Sequence, residues 1–145
     1  MLLLLTACFL LPRGGDTPVG IAVAPPDPGC DDMAVAALYV EVRDLDGAAL
    51  EPTTLEWRIA GEEWATADCW DESCTSWVAG WNVAGDMEVR ASLTGTVEGM
   101  ECCEHIAEAE ARVTIDWDEW GCHPESQEIA LELDTQSWEC LDSGC

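Results

Sequence analysis

The chain has 145 residues and carries 30 acidic side chains against five basic ones, a formal net charge of −25. A surface of that sign repels phosphate backbones and anionic headgroups, which excludes nucleic acid as a partner and membrane binding through charge, and it keeps copies apart as monomers. The length fits one domain with a real core, and nine cysteines are too many for a reducing cytosol.

The chain opens on a short apolar run, Met1 to Leu5, followed by Thr6, Ala7 and Cys8. Leu5-Thr6-Ala7-Cys8 resembles the lipobox of bacterial lipoproteins, in which the cysteine is lipidated and becomes the mature N-terminus. The resemblance implies a lipoprotein signal peptide over residues 1–7, lipidation at Cys8, and a bacterial cell-envelope location with membrane attachment through lipid. Met1 to Ala7 sits at the short end of a signal h-region, and no Lys or Arg precedes it. The alternative is ordinary secretion, with an apolar run from Leu2 to Leu11 and cleavage after Ala22-Val23-Ala24, although Pro25 follows that cut unfavourably. No other run approaches the ~20 apolar residues of a membrane helix.

With Cys8 set aside, Cys30, Cys69, Cys74, Cys102, Cys103, Cys122, Cys140 and Cys145 form an even set suited to four disulfides. Paired C-x-x-C knuckles are absent from the sequence, and His105 and His123 are its only histidines. Residues 8–29, rich in Pro and Gly, read as anchor and flexible tether. Within them Val19 to Ala24 offers a short edge strand.

Residues 30–134 read as the folded domain. Period-2 alternation marks Ala34 to Arg43, with Ala36, Leu38, Val40 and Val42 on one face, as a half-buried strand. Asp44-Leu45-Asp46-Gly47 is a turn, because Asp caps nearby amides and Gly supplies positive φ. Thr54 to Ile59 directs Leu55, Trp57 and Ile59 to the core, and Glu63 to Cys69 is its expected hairpin partner. Cys69 to Cys74 is a loop short enough for one disulfide to close. Ser76 to Ala79 and Met87 to Leu93 are further strands, and Thr94 to Glu104 reads as irregular. Ala107 to Ile115 alternates Ala, Val and Ile strictly with Glu, Arg and Thr; it reads as a strand despite the helix propensity of its alanines and glutamates. Ile129 to Leu133 is the last strand. Residues 135–145 form a cysteine-containing tail, with Cys140–Cys145 as its favoured staple. About seven short strands separated by Gly, Pro and Asp turns predict an all-β fold, a single antiparallel β-sandwich.

Three stretches carry a second resemblance: Val40 to Pro52, Trp77 to Gly80 leading through Val83-Ala84-Gly85 into Glu88 to Ala91, and Cys122-His123 followed by Gln127 to Leu133. Together they are similar to the carboxypeptidase-regulatory-like domains of bacterial exported lipoproteins, a transthyretin-like β-sandwich. The resemblance implies a module without catalytic residues of its own, serving folding, spacing or interaction, and a disulfide from Cys122 to Cys102 or Cys103.

Candidate chemistry is sparse. Cys103 and His105 lie two apart; in a strand that spacing would put them on one face, as a thiolate and its base would need, although an even cysteine set is more simply read as disulfides. The sequence has no G-x-S-x-G, H-E-x-x-H or phosphate-binding glycine loop. Hard cations need several oxygens from flexible loops, so calcium is the one cofactor candidate. Its candidate ligands, Asp116, Asp118 and Glu119, cluster in one loop, and Asp68, Asp71 and Glu72 cluster in another; a site is expected if the fold brings both loops to the same end. Trp117 and Trp120 are expected to be exposed, where indole offers a flat apolar face and one donor to a glycan or protein. The combined expectation is a non-enzymatic, lipid-anchored envelope module for interaction or scaffolding, with a calcium-binding surface module as the alternative.

Overall fold

A computed structural model describes residues 30–141. The lipidation site Cys8, the signal peptide, the tether with its Val19 to Ala24 run, and Cys145 lie outside the described residues. The fold is all-β. Its strands are β1 (Ala36–Asp44), β2 (Thr54–Ile59), β3 (Ala65–Thr66), β4 (Asp68–Cys69), β5 (Ser76–Trp81), β6 (Gly85–Val97), β7 (Met100–Ile115), β8 (Gln127–Leu133) and β9 (Trp138–Cys140). They form a four-stranded sheet, β4-β5-β1-β8, and a five-stranded sheet, β3-β2-β6-β7-β9.

Alternation accounts for the core. Leu38, Val40 and Val42 of β1 and Leu131 and Leu133 of β8 meet Leu55, Met87, Val89, Ala91, Ala107 and Ile115 from the other sheet in one buried cluster. Trp57 packs against that cluster while staying partly exposed. The alanines of β7 face inward and its glutamates outward, so burial on one face of a sheet overrides helix propensity. The Asp44 turn forms as its residues dictate: Asp44 Oδ1 accepts from the amides of Asp46 and Ala48 at 3.0 and 2.8 Å, and Gly47 has φ 84°.

Four expectations are corrected. The described residues hold nine strands rather than about seven, because three pieces of two or three residues pair at sheet edges. The expected partner of β2 splits: β3 pairs with β2, the buried Ala67 crosses the core, and β4 pairs with β5 in the other sheet. The sheets are not purely antiparallel, since β8 runs parallel to β1 from Leu38↔Gln127 to Asp44↔Leu133. Thr94 to Glu104 is not irregular but the far end of the β6–β7 hairpin, which turns at Gly99 with φ 79°. Its alternation is hard to see because this end extends past β2, whose pairing with β6 stops at Ser92, and much of it is exposed on both faces.

The covalent framework also differs. Cys69–Cys74 forms as expected. Cys122 bonds Cys30, not Cys102 or Cys103. Cys140 bonds Cys103 rather than Cys145, because β9 pairs with β7 at Cys103↔Cys140; the tail therefore begins inside the five-stranded sheet. Cys102 is disulfide-bonded as well. Disulfides of this number are compatible with an oxidising compartment such as the envelope or the exterior. Among the described residues no helix is long and apolar enough to cross a membrane.

Candidate functional site

The thiol pairing suggested by Cys103 and His105 is not available. Cys103 is consumed by its disulfide, and His105 packs edge-on against Trp138 at 6.5 Å. His123 Nε2 lies 2.9 Å from Asp31 Oδ1, on the stretch that Cys30–Cys122 ties down.

The two acidic loops lie at opposite ends of the four-stranded sheet. The Asp71 loop leads into β5 beside Glu41, toward the end of β1, whereas the Asp118 loop leads into β8 beside the start of β1. Their central carboxylates are occupied with shaping their own loops. Asp118 Oδ1 accepts from the amides of Cys122 and Trp120 at 2.8 and 3.2 Å. The Cys122 amide is the strongest influence and lowers the Asp118 pKa; burial opposes it, and the His123 and Trp120 amides and the His123 charge add to the lowering. At Asp71 burial is the largest single influence and pushes the pKa up. The Ser73 and Thr75 hydroxyls and the Thr75 and Ser76 amides together outweigh it and hold the carboxyl below its ordinary value. Asp68 is engaged elsewhere, accepting from Trp81 Nε1 at 2.7 Å. Among the described residues no group of three or more His, Cys, Asp or Glu is placed to hold one metal ion. Calcium at constant ionic strength is therefore expected to leave the melting temperature unchanged.

Lowered folded pKa values carry a signed consequence. The stability they contribute is fully present above the unfolded carboxylate range and is lost as pH falls through the folded values. Relief of the −25 net charge acts in the opposite sense on acidification and is nearly the same in a variant. Comparing Tm against pH for the native chain and the Asp71→Asn, Asp118→Asn double variant isolates the linkage. The native curve is expected to fall more steeply on the acid side.

The outer face of the five-stranded sheet is a charge lattice. Register aligns Arg58, Glu88 and Arg112 in one row across β2, β6 and β7, and Glu56, Arg90 and Glu110 in the next. Arg58 and Arg112 both pair with Glu88, and Arg90 with Glu56 at 2.8 Å. Trp64 lies against this lattice with the Arg58 and Arg90 guanidinium carbons 4.4 and 4.1 Å from its ring centroid. The groove beside it is lined by both signs of charge, so its arginines are already neutralised. Trp64→Ala is expected to cost about 1–2 kcal/mol, read by denaturant unfolding, through loss of two cation–π contacts and the indole's buried area.

The outer face of the four-stranded sheet carries a different feature. Tyr39, in the middle of β1, meets the Trp70 ring edge-on at 5.8 Å, and Trp70 meets Trp81 at 6.1 Å. Trp70 is 56% and Trp81 38% exposed. Val78, between Tyr39 and Asp68 in the sheet, is fully buried yet stands outside the inter-sheet cluster. Its register partner Tyr39 places it on the ledge side of the sheet. Trp81 reaches this face because Gly80, with φ 76°, breaks the alternation of β5. Asn82 fixes the turn that follows: its side chain accepts from the Val35 amide at 2.8 Å and its own amide donates to Val35 O at 2.9 Å. Trp120 is exposed as expected, but Trp117 packs on the core. Sequence reasoning missed the Tyr39–Trp70–Trp81 ledge; the available signal was Tyr39 on the polar face of a strand, with Trp70 inside the short loop that Cys69–Cys74 closes.

No family model, curated protein or solved structure matches the chain.

Proposed function

We propose that the chain is a lipid-anchored interaction module of the bacterial cell envelope, a disulfide-stapled β-sandwich of the carboxypeptidase-regulatory-like type without enzymatic activity of its own. The observation that carries this reading is the aromatic ledge: three neighbouring rings on a sheet whose other face is the core, with Trp70 and Trp81 exposed to solvent and Tyr39 half-buried beneath them. Exposed apolar surface of this kind on an exported domain marks a place where something else binds. The disulfides support export, and the lipobox resemblance at Cys8 supplies the anchor, with the Pro/Gly-rich residues up to 29 as spacer. Unreduced mass measurement of the full-length protein from a bacterial host tests the anchor. A mass starting at Cys8 with diacylglycerol added is the expected result; a mass starting after Ala24, or at Met1 with no lipid, overturns it.

A further inference from the structure

We infer that the Tyr39–Trp70–Trp81 ledge receives arginine side chains from a basic segment of a protein partner. The inference rests on the interaction-module reading and names the partner's chemistry. Its argument comes from the opposite face of the same domain. There Trp64 is stacked against Arg58 and Arg90, and Glu56 and Glu88 hold the guanidinium groups in place. An indole face beside carboxylates is a complete receptor for guanidinium, which stacks through its plane and donates through its edge.

The ledge has the same two ingredients without the cation. Trp70 and Trp81 offer exposed ring area. Asp68 sits beside Trp81, Glu128 lies opposite Tyr39 in the register of β1 and β8, and Glu72 follows in the loop after Trp70. The basic side chains of this chain are all arginine. Among the described residues three of the four line the Trp64 face, and the fourth, Arg43, is paired with Glu41 two positions along β1 from Tyr39. Cation stacking among the described residues is found only at Trp64. A guanidinium from outside therefore completes on this face the pairing that the fold completes for itself on the other. The acid around the rings also sets the class of partner: an anionic glycan is repelled, and a neutral glycan gains nothing from the carboxylate charge, whereas a cationic segment gains from both rings and rim.

The test is ¹⁵N NMR of the full chain, following the tryptophan indole signals during titration in 0.15 M salt. The probes are a synthetic Arg-Gly repeat peptide, its Lys-Gly counterpart, and cello- and chito-oligosaccharides. The Arg peptide is expected to move the Trp70 and Trp81 signals and leave that of Trp120 in place. The Lys peptide is expected to bind several-fold more weakly. Trp70→Ala and Tyr39→Ala are each expected to weaken Arg-peptide binding about tenfold, and Trp120→Ala to leave it unchanged. Equal affinity in Trp70→Ala, or shifts spread over the whole acidic surface, would reduce the effect to bulk charge and overturn the inference. Oligosaccharides moving the same two signals in place of the Arg peptide would make the ledge a glycan site and overturn it too. A change in the free protein's Trp70 signal on Arg13→Ala would show the chain's own arginine as the occupant, again overturning an external partner. Loss of peptide binding with the Cys8 lipid present removes this inference alone. Peptide binding with no lipid at Cys8 removes the anchor alone.

Discussion

Replacing Cys30 and Cys122 together by serine is expected to lower the stability of the domain by about 4–5 kcal/mol, the largest single effect foreseen. The bond closes a loop of 92 residues, and in the chain-entropy model a loop of that length restricts the unfolded state by roughly that amount. Against a typical domain stability of about 5–15 kcal/mol, that is a large share. Denaturant unfolding of the variant measures it, and a fall in Tm of roughly 15–25 °C should accompany it. The Cys69–Cys74 bond spans only five positions, so serine replacement there is expected to cost about 2 kcal/mol. Equal losses from the two pairs would show that loop length does not govern this framework.

Gly80→Ala is expected to cost about 2–4 kcal/mol and to disturb the ledge as well. Two independent penalties combine. The φ of 76° lies in the left-handed region, which a Cβ disfavours by about 1–2 kcal/mol. The new methyl would also stand 2.5 Å from Val83 Cγ2 and 3.1 Å from Met87 Cε, in a packed interior where overfilling typically costs about 1–3 kcal/mol. Relaxing the strain means turning β5 back toward regular alternation, which would carry Trp81 off the outer face and break its bond to Asp68. Unfolding midpoints read the stability. A shift of the Trp81 indole signal reads the second effect, and an unmoved signal would show that Gly80 does not place Trp81.

These two sites mark where the sequence was and was not legible. The inward series Leu38, Val40 and Val42, and Ala107 through Ile115, could be read directly, because a strand buried on one face must alternate. Cys69–Cys74 could be read because its loop is local. Cys30–Cys122 could not: it follows from β8 lying parallel beside β1, a pairing between strands almost a domain length apart that leaves no trace in either. β9 escaped notice because three residues, Trp138–Cys140, cannot display a period. The ledge was hidden by Gly80. Strict alternation from Trp77 and Ala79 assigns Trp81 to the core, and one left-handed residue sends it to the opposite face. The calcium reading needed the loops at Asp71 and Asp118 to share an end, and the direction in which β5 and β8 run past β1 decided that they do not.

The crosslinks also determine how the domain would carry a mechanical load. Cys30 is bonded to Cys122 and Cys103 to Cys140, so the two covalent loops overlap in the chain. Tension applied between Cys30 and Cys140 passes through the first sulfur bridge and then along the short path from Cys122, bypassing β1 through β7. Even fully unravelled, the span between those points could lengthen to only roughly 60 Å, against roughly 380 Å for the uncrosslinked chain. A domain wired this way acts as a nearly inextensible link, so stretch is taken up by what lies on either side of it, and single-molecule pulling would register it as a short, stiff segment until a reductant is added.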